Sequence, residues 1–259
     1  MTIRQPAVAG VFYPANRSAL SREVSQLLDE ATLHNLSPKV LIAPHAGYIY
    51  SGATAAAAYR QLAGRESIIS RVVLLGPSHH VPFHGLALPA STVFNTPLGP
   101  VNIDTESANQ LLTFSQVQVL EAAHELEHSL EVQLPFLQTI LNDFQLLPLV
   151  VGDASPLAVS EVLEHLWGGP ETLIVISTDL SHYHPYEEAQ AIDANTVKTI
   201  QNLEATLKGE QACGSRPLNG LLTSAFNRNM EVVTLDTCNS GDSAGDHGRV
   251  VGYAAFAIQ

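Results

Sequence analysis

Positive charge is scarce in this chain: 12 Lys and Arg stand against 25 Asp and Glu, a formal net charge of -13. No basic cluster rises from that background, which excludes nucleic acid and anionic membrane surfaces as natural partners. Cysteine is scarcer still, with only Cys213 and Cys238. Two cysteines make no disulfide framework in a chain of 259 residues, so a reducing, cytoplasmic compartment is expected. Long apolar runs are missing too. Stretches such as Val72 to Leu75 and Leu146 to Val151 are strand-sized, far short of the roughly 20 residues a spanning helix needs. The opening Met1-Thr2-Ile3-Arg4-Gln5-Pro6 has no apolar signal core, and no secretory leader is expected. Charged residues make up 14% against 46% hydrophobic, a balance that suits a buried core and not a disordered tail. Without a linker or internal repeat, residues 1–259 read as one domain.

What is present is an alternation of short Val-, Ile- and Leu-rich runs with stretches of helical period. That pattern predicts an α/β fold with a mainly parallel or mixed central sheet flanked by helices. Strands are expected over 39–43, 72–76, 85–88, 145–151, 173–177, 231–236 and 250–258. Helices are expected over 17–31, 52–62, 105–112, 129–141, 156–167, 185–202, 206–209 and 217–228. The Gly-rich run 241–248 reads as an exposed or site-lining loop.

The histidines fall mostly just after expected strands, where open α/β sheets build their ligand crevices. His45 follows the first of these strands, His79 and His80 follow the second, and His182 follows 173–177. Pro44-His45-Ala46-Gly47-Tyr48 couples a rigid turn to an imidazole; taken alone, a turn or capping histidine reads equally well. Adjacent residues in an extended segment point to opposite sides, so one of His79 and His80 enters the crevice and the other packs behind it. Asp179 and His182 lie three apart, a spacing at which the carboxylate can fix the tautomer of the imidazole and raise its basicity. Capping by Asp179 or Ser181 is compatible with the same spacing.

His124-Glu125-Leu126-Glu127-His128 matches the H-E-x-x-H of zinc peptidases literally. The apolar period strengthens only after Ser129, which places His124 in a loop or frayed turn, not in mid-helix, and no downstream third ligand is evident. His128 and Glu131, three apart at the expected helix start, make a better pocket pair; a charge pair favoured by the helix dipole is the plainer reading. Asp242, Asp246 and His247 sit on the Gly-rich loop near the end of the chain, where calcium binding or helix capping would look the same.

Together these blocks resemble the MEMO family, whose prokaryotic members are described as the B protein of the AmmeMemoRadiSam system. The likeness runs from Ala9-Gly10-Val11-Phe12-Tyr13-Pro14 through Ala43 to Tyr48, Leu75 to His80, Thr96 to Gly99, and Glu127 to Glu131. It continues through Ser177 to His182, Cys213-Gly214 and Asn239-Ser240-Gly241-Asp242, and closes on Val251-Gly252-Tyr253-Ala254-Ala255. The family block begins at Glu127 and leaves His124 outside the apparent peptidase motif. The resemblance implies a fold similar to class III extradiol dioxygenases, non-haem iron enzymes in which two histidines and a carboxylate hold the metal. Carried over, it makes His45 and His79 metal ligands and Asp179 and His182 further site residues. In the animal relative the third ligand is a cysteine of the C-terminal loop. That position falls near Ser243 here, so Asp242 becomes the candidate third ligand, with Asp246, Cys238 or no protein ligand as alternatives.

The resulting expectation is a mononuclear site for a divalent metal, iron or copper before zinc, in a redox enzyme acting on a small molecule. His182 would transfer protons, Asp179 would orient it, and His128, Glu131, His80 and Tyr48 would line the pocket. A binding or adaptor protein that docks a peptide or partner in the same pocket is the rival expectation, and a zinc-dependent hydrolase the third. The resemblance also implies AMMECR-type and radical SAM protein partners.

Overall fold

A computed structural model describes residues 2–259. Its strands are β1 (Ile3–Arg4), β2 (Val40–Ala43), β3 (Arg71–Pro77), β4 (Leu86–Leu88), β5 (Val93–Thr96), β6 (Gly99–Asn102), β7 (Val117–Val119), β8 (Gln145–Val151), β9 (Thr172–Ser177), β10 (His182–His184), β11 (Val232–Asn239) and β12 (Val250–Ile258). The helices are α1 (Arg17–Glu30), α2 (Tyr48–Tyr59), α3 (Thr105–Leu111), α4 (Ala122–Glu125), α5 (Leu134–Ile140), α6 (Pro156–Leu166), α7 (Tyr186–Gln201), α8 (Ser215–Asn227) and α9 (Ser240–Ser243).

Nine strands form a mixed sheet in the order β10, β12, β2, β9, β3, β8, β4, β7, with β11 also paired to β12; β1, β5 and β6 form a separate small sheet. The central strands β2, β9, β3 and β8 run parallel, while β12 and β4 join antiparallel on either side. Strand alternation sorts the apolar side chains into two cores, one on each face. Leu41, Val72, Leu74 and Val175 belong to a core that includes residues of α1, α2 and α5. Val40, Ile42, Val73, Leu75, Ile174 and Ile176 belong to the other, with residues of α6 and α8. Because both faces are covered, the central strands are continuous apolar runs, which is why they were legible as strands.

The expected strands all form. Differences arise where local pattern is weak. β1, β5, β6, β7 and β10 are two to four residues long, too short to show a period. The helix expected over 206–209 is absent: Leu207 pairs its backbone N–H and C=O with the Asn219 side chain in place of a helical ladder. The helix expected over 129–141 is a 3-10 turn, Glu131–Gln133, followed by α5, with Pro135 in the first turn. Part of the Gly-rich loop is the short helix α9. No helix among the described residues is long and apolar enough to cross a membrane.

The topology sets up one chemical edge. β2, β9 and β3 are adjacent and parallel, with Ala43 beside Ser177 and Leu75 beside Ile176. Their carboxyl ends therefore release the segments that carry His45, Asp179 and His79 side by side. A fourth segment reaches this edge because Gly76 has no side chain: a Cβ there would lie 2.8 Å from Ser129 Oγ and 2.9 Å from Leu130 Cδ2. The close approach at Gly76 is what seats the His128 segment against β3.

Candidate metal centre

His45 leaves β2 at a turn and is almost wholly buried, at 1% exposure. Its backbone N–H donates to Asp179 Oδ1 at 2.8 Å, and its ring Nδ1 lies 2.9 Å from Ser177 Oγ. The tautomer follows from Ser177. That hydroxyl donates its one proton to Ser129 O at 2.5 Å and accepts from Gln133 Nε2 at 2.8 Å. Gln133 is oriented in turn by Pro44 O, to which Nε2 donates, and by the Tyr59 hydroxyl, which donates to Oε1. Nδ1 of His45 therefore carries the hydrogen, and Nε2 keeps its lone pair.

His79 leaves β3 with its side chain 28% exposed. Glu127, 2% exposed, accepts the His79 backbone N–H at 2.6 Å with one carboxylate oxygen. Its other oxygen accepts the ring Nδ1–H at 2.8 Å and the Ser129 N–H at 2.9 Å. Burial by itself would raise the Glu127 carboxyl, but these hydrogen bonds and the electrostatic attraction of the His79 side chain outweigh it and hold Glu127 far below the usual carboxylate range. An ionised Glu127 accepts only, so Nδ1 of His79 donates and its Nε2 is likewise free to bind.

His128 completes the group. Its ring stacks on His79 with centroids 4.6 Å apart and lies 5.4 Å from the ring of His45, while His45 and His79 are 5.2 Å apart. One ring nitrogen from each of the three lies within 4.8 Å of the others. Burial, with the neighbouring imidazoles His79 and His80, brings His128 down to about 4 against the pull of Glu127, and burial holds His45 well below its ordinary value. The two are neutral near pH 7, the form that binds cations. A metal bonds imidazole nitrogen at about 2.0–2.1 Å, so small side-chain rotations bring this set to coordination distance. The residues fit a divalent transition metal: neutral nitrogen donors, two of them oriented by buried hydrogen-bond partners, open to a cavity on one side.

That cavity has a volume of about 670 Å³ and is lined by the three histidines together with Asp179, His182, Phe12, Tyr50 and others. His182 lies on β10 and donates Nδ1–H to Leu180 O at 2.9 Å, which leaves Nε2 as a proton acceptor; burial lowers its pKa. Asp179 is buried, and burial pushes its carboxyl up to about 7 even though the His45 N–H stabilises the anion. Cys213 Sγ lies 3.3 Å from His45 Nε2, and desolvation with the nearby Asp179 pushes this thiol up to about 12.

Several expected positions need correction. Asp242 is not in the cluster: it accepts the Asn239 N–H in a capping box on α9 and takes the Tyr186 hydroxyl, beside a different cavity that also holds Cys238. His128 occupies the place expected for a third ligand. Glu131 faces away from the cavity, because the 3-10 turn begins only at Glu131 and His128 lies before it, so the two share no helix face. It is fully buried against Arg4, the Tyr13 hydroxyl and the N–H groups of Ala7 and Val8. Tyr48 also points inward, donating to Val132 O, and Tyr50 lines the cavity in its place. His80 is exposed, its ring 6.3 Å from His128, and does not line the cavity. Asp179 serves His45 and not the His182 ring. Glu127, Ser177 and Cys213 were not singled out as site residues. Glu127 and Ser177 act through partners about 50 and 130 residues away, and no local pattern signals such pairs.

The peptidase motif dissolves in three dimensions. α4 ends at Glu125, so His124 and His128 share no helix face. His124 is buried against the Phe94 ring and donates Nε2–H to Ala87 O at 2.9 Å.

The fold and site thus define an α/β protein with a three-histidine candidate metal centre at the carboxyl edge of a mixed sheet. Residues 4–257 match the family model described as Memo-like protein. A MEMO1 family protein of Aquifex aeolicus is 36% identical over 265 aligned positions, covering 98% of both chains. Those of Methanosarcina mazei and Aeropyrum pernix are 34% and 35% identical and aligned over the full length of both chains. The chain belongs to the Memo family.

Proposed function

We propose that this Memo-family protein is a mononuclear metalloprotein that uses iron or copper for redox chemistry on a small molecule. The observation that carries this reading is the convergence of His45, His79 and His128, with nitrogens within 4.8 Å of one another. In this reading the three imidazoles hold the ion, and Ser177 and Glu127 fix the two tautomers that point Nε2 inward. Iron or copper so held would supply one-electron chemistry and polarise a bound oxygen atom; zinc in the same donors would supply only the polarisation, and with it a hydrolase. His182, with its free Nε2 on the cavity wall, takes up a proton from the small molecule. Asp179 acts indirectly by fixing the backbone of His45.

The test is metal analysis of protein purified without added metal, then anaerobic iron or copper loading and an oxygen-uptake screen with catechols and related phenols. Equimolar metal in the wild type, lost in His45→Ala and His79→Ala, and oxygen uptake lost in His182→Ala are the expected results. Absence of metal from the loaded wild type would end the reading.

A specific feature favours a second reading, a binding protein that docks a peptide or partner such as an AMMECR-type or radical SAM protein. Val11, Ile49 and Tyr183 on the cavity lining are 79%, 70% and 62% exposed, an apolar rim available to another surface. Metal uptake without turnover of any small molecule, together with capture of such a partner, would favour it.

A further inference from the structure

We infer that Arg249 and Tyr183 form a recognition element on the cavity wall, and that the cavity takes a small organic anion with an apolar or aromatic body. The inference rests on the reading of this cavity as the ligand site and names what enters it.

In a chain of net charge -13 an anion is repelled at long range, so its binding requires a local positive group. The cavity lining offers one lysine or arginine, Arg249. His45, His79, His128 and His182 share the cavity, but each ring offers at most one donor to a ligand, not the planar fork of a guanidinium. Asp179 is the one carboxylate on the lining.

Arg249 is also uncommitted. Arg4, Arg216 and Arg228 are each paired with a carboxylate, whereas the guanidinium of Arg249 has no hydrogen bond or ion pair among the described residues. It lies over the ring of Tyr183, 5.1 Å from the centroid, with its donors left for a planar oxyanion.

Tyr183 supplies a second, independent observation. Its backbone sits at φ 63, the left-handed region that an aromatic side chain rarely adopts, and its ring is 62% exposed. This conformation turns the side chain out of β10 onto the cavity wall, between His182 and Arg249. Strain of this kind persists where the surroundings enforce it, and a ligand-holding wall is a common setting. Phe12, Ile49, Tyr50 and Tyr253 supply apolar surface for the body of the ligand. The volume, about 670 Å³, lies within the range of small-molecule sites.

The experiment uses metal-free protein, titrated by calorimetry with benzoate, phenylphosphonate and benzamide. Benzamide has nearly the shape of benzoate without its charge. At least one anion should bind about tenfold more tightly than benzamide, the usual worth of a charged hydrogen bond, and which anion does so identifies the oxyanion class. Arg249→Gln should bring the anions to parity with benzamide, Arg249→Lys should keep part of the preference, and Tyr183→Gly should weaken all three ligands. Equal binding of anions and benzamide to the wild type, or an anion preference that survives Arg249→Gln, overturns the inference. Thermal melting of the exposed Arg249 variants checks that they are folded. Metal uptake by Arg249→Gln, measured separately, should equal that of the wild type. A wild type that prefers the anions but never holds metal would leave this inference standing and overturn the proposed function.

Discussion

Glu127 and Glu131 lie four residues apart, both essentially without exposure, yet they build two different regions. Glu131 ties down the N-terminal segment through Arg4, Tyr13 and two backbone N–H groups. Glu127 reaches the opposite way and fixes the ring and backbone of His79 at the metal centre. The two carboxylates are held by different partners: a guanidinium, a phenol and amides in one region, an imidazole and amides in the other. One acid supports the fold, and the other aims a ligand. Arg4 bridges the regions, since its remaining nitrogens donate to Glu127 O and His124 O.

This contrast can be broken from the structural side first. Arg4→Ala leaves Glu131 as an uncompensated buried charge and should cost about 3–5 kcal/mol in urea unfolding. Arg4→Ala together with Glu131→Gln should recover part of that loss, and a double variant no more stable than Arg4→Ala would refute the ion-pair account.

The next effect concerns pH. Burial brings His124 down to about 4, against about 6.5 when unfolded. Above pH 6.5 the ring is neutral in both states and the stability is complete; as pH falls from 6.5 toward 4 the unfolded chain gains the proton first, and stability is lost. The loss should be on the order of 3 kcal/mol by pH 4. His124→Phe should make unfolding free energy fall less steeply across this window, leaving the part due to His45, His128 and His182, and an unchanged slope would count against it.

On the functional side, Glu127→Gln should weaken metal binding by roughly ten- to a hundredfold, measured by competition with a chelator, while thermal stability changes less than in Arg4→Ala. A larger loss of stability than of metal affinity would erase the distinction between the two acids. The smallest effect belongs to Cys213→Ser. Its Sγ neighbours His45 but does not belong to the group of three converging donors, and metal content should stay at the wild-type level by elemental analysis.

The same contrast explains what could be read from residues alone. Continuous apolar runs announced β2, β3, β8 and β9, and a histidine after each of the two parallel strands that flank β9 announced two of the three imidazoles. The family resemblance is upheld by the match over residues 4–257. Glu131 was assigned to the pocket because three-residue spacing puts side chains on one face of a helix. The first turn there begins only at Glu131 and leaves His128 outside it, and the partner that holds Glu131, Arg4, is 127 residues away. Asp242 was assigned to the metal because it sits on the right loop, but local capping of α9 uses its carboxylate. Local spacing reveals what a residue is near in the chain; competition for its charge is settled by segments arriving from elsewhere.

The bare backbone at Gly76 carries a consequence for how the protein meets its cation. Since His128 reaches the other two imidazoles only when its segment lies flat on β3, an unfinished or partly melted chain offers scattered single donors and holds no ion tightly. Metal capture would then report that the sheet is complete, and the captured ion would hold the native form against unfolding in proportion to its free concentration.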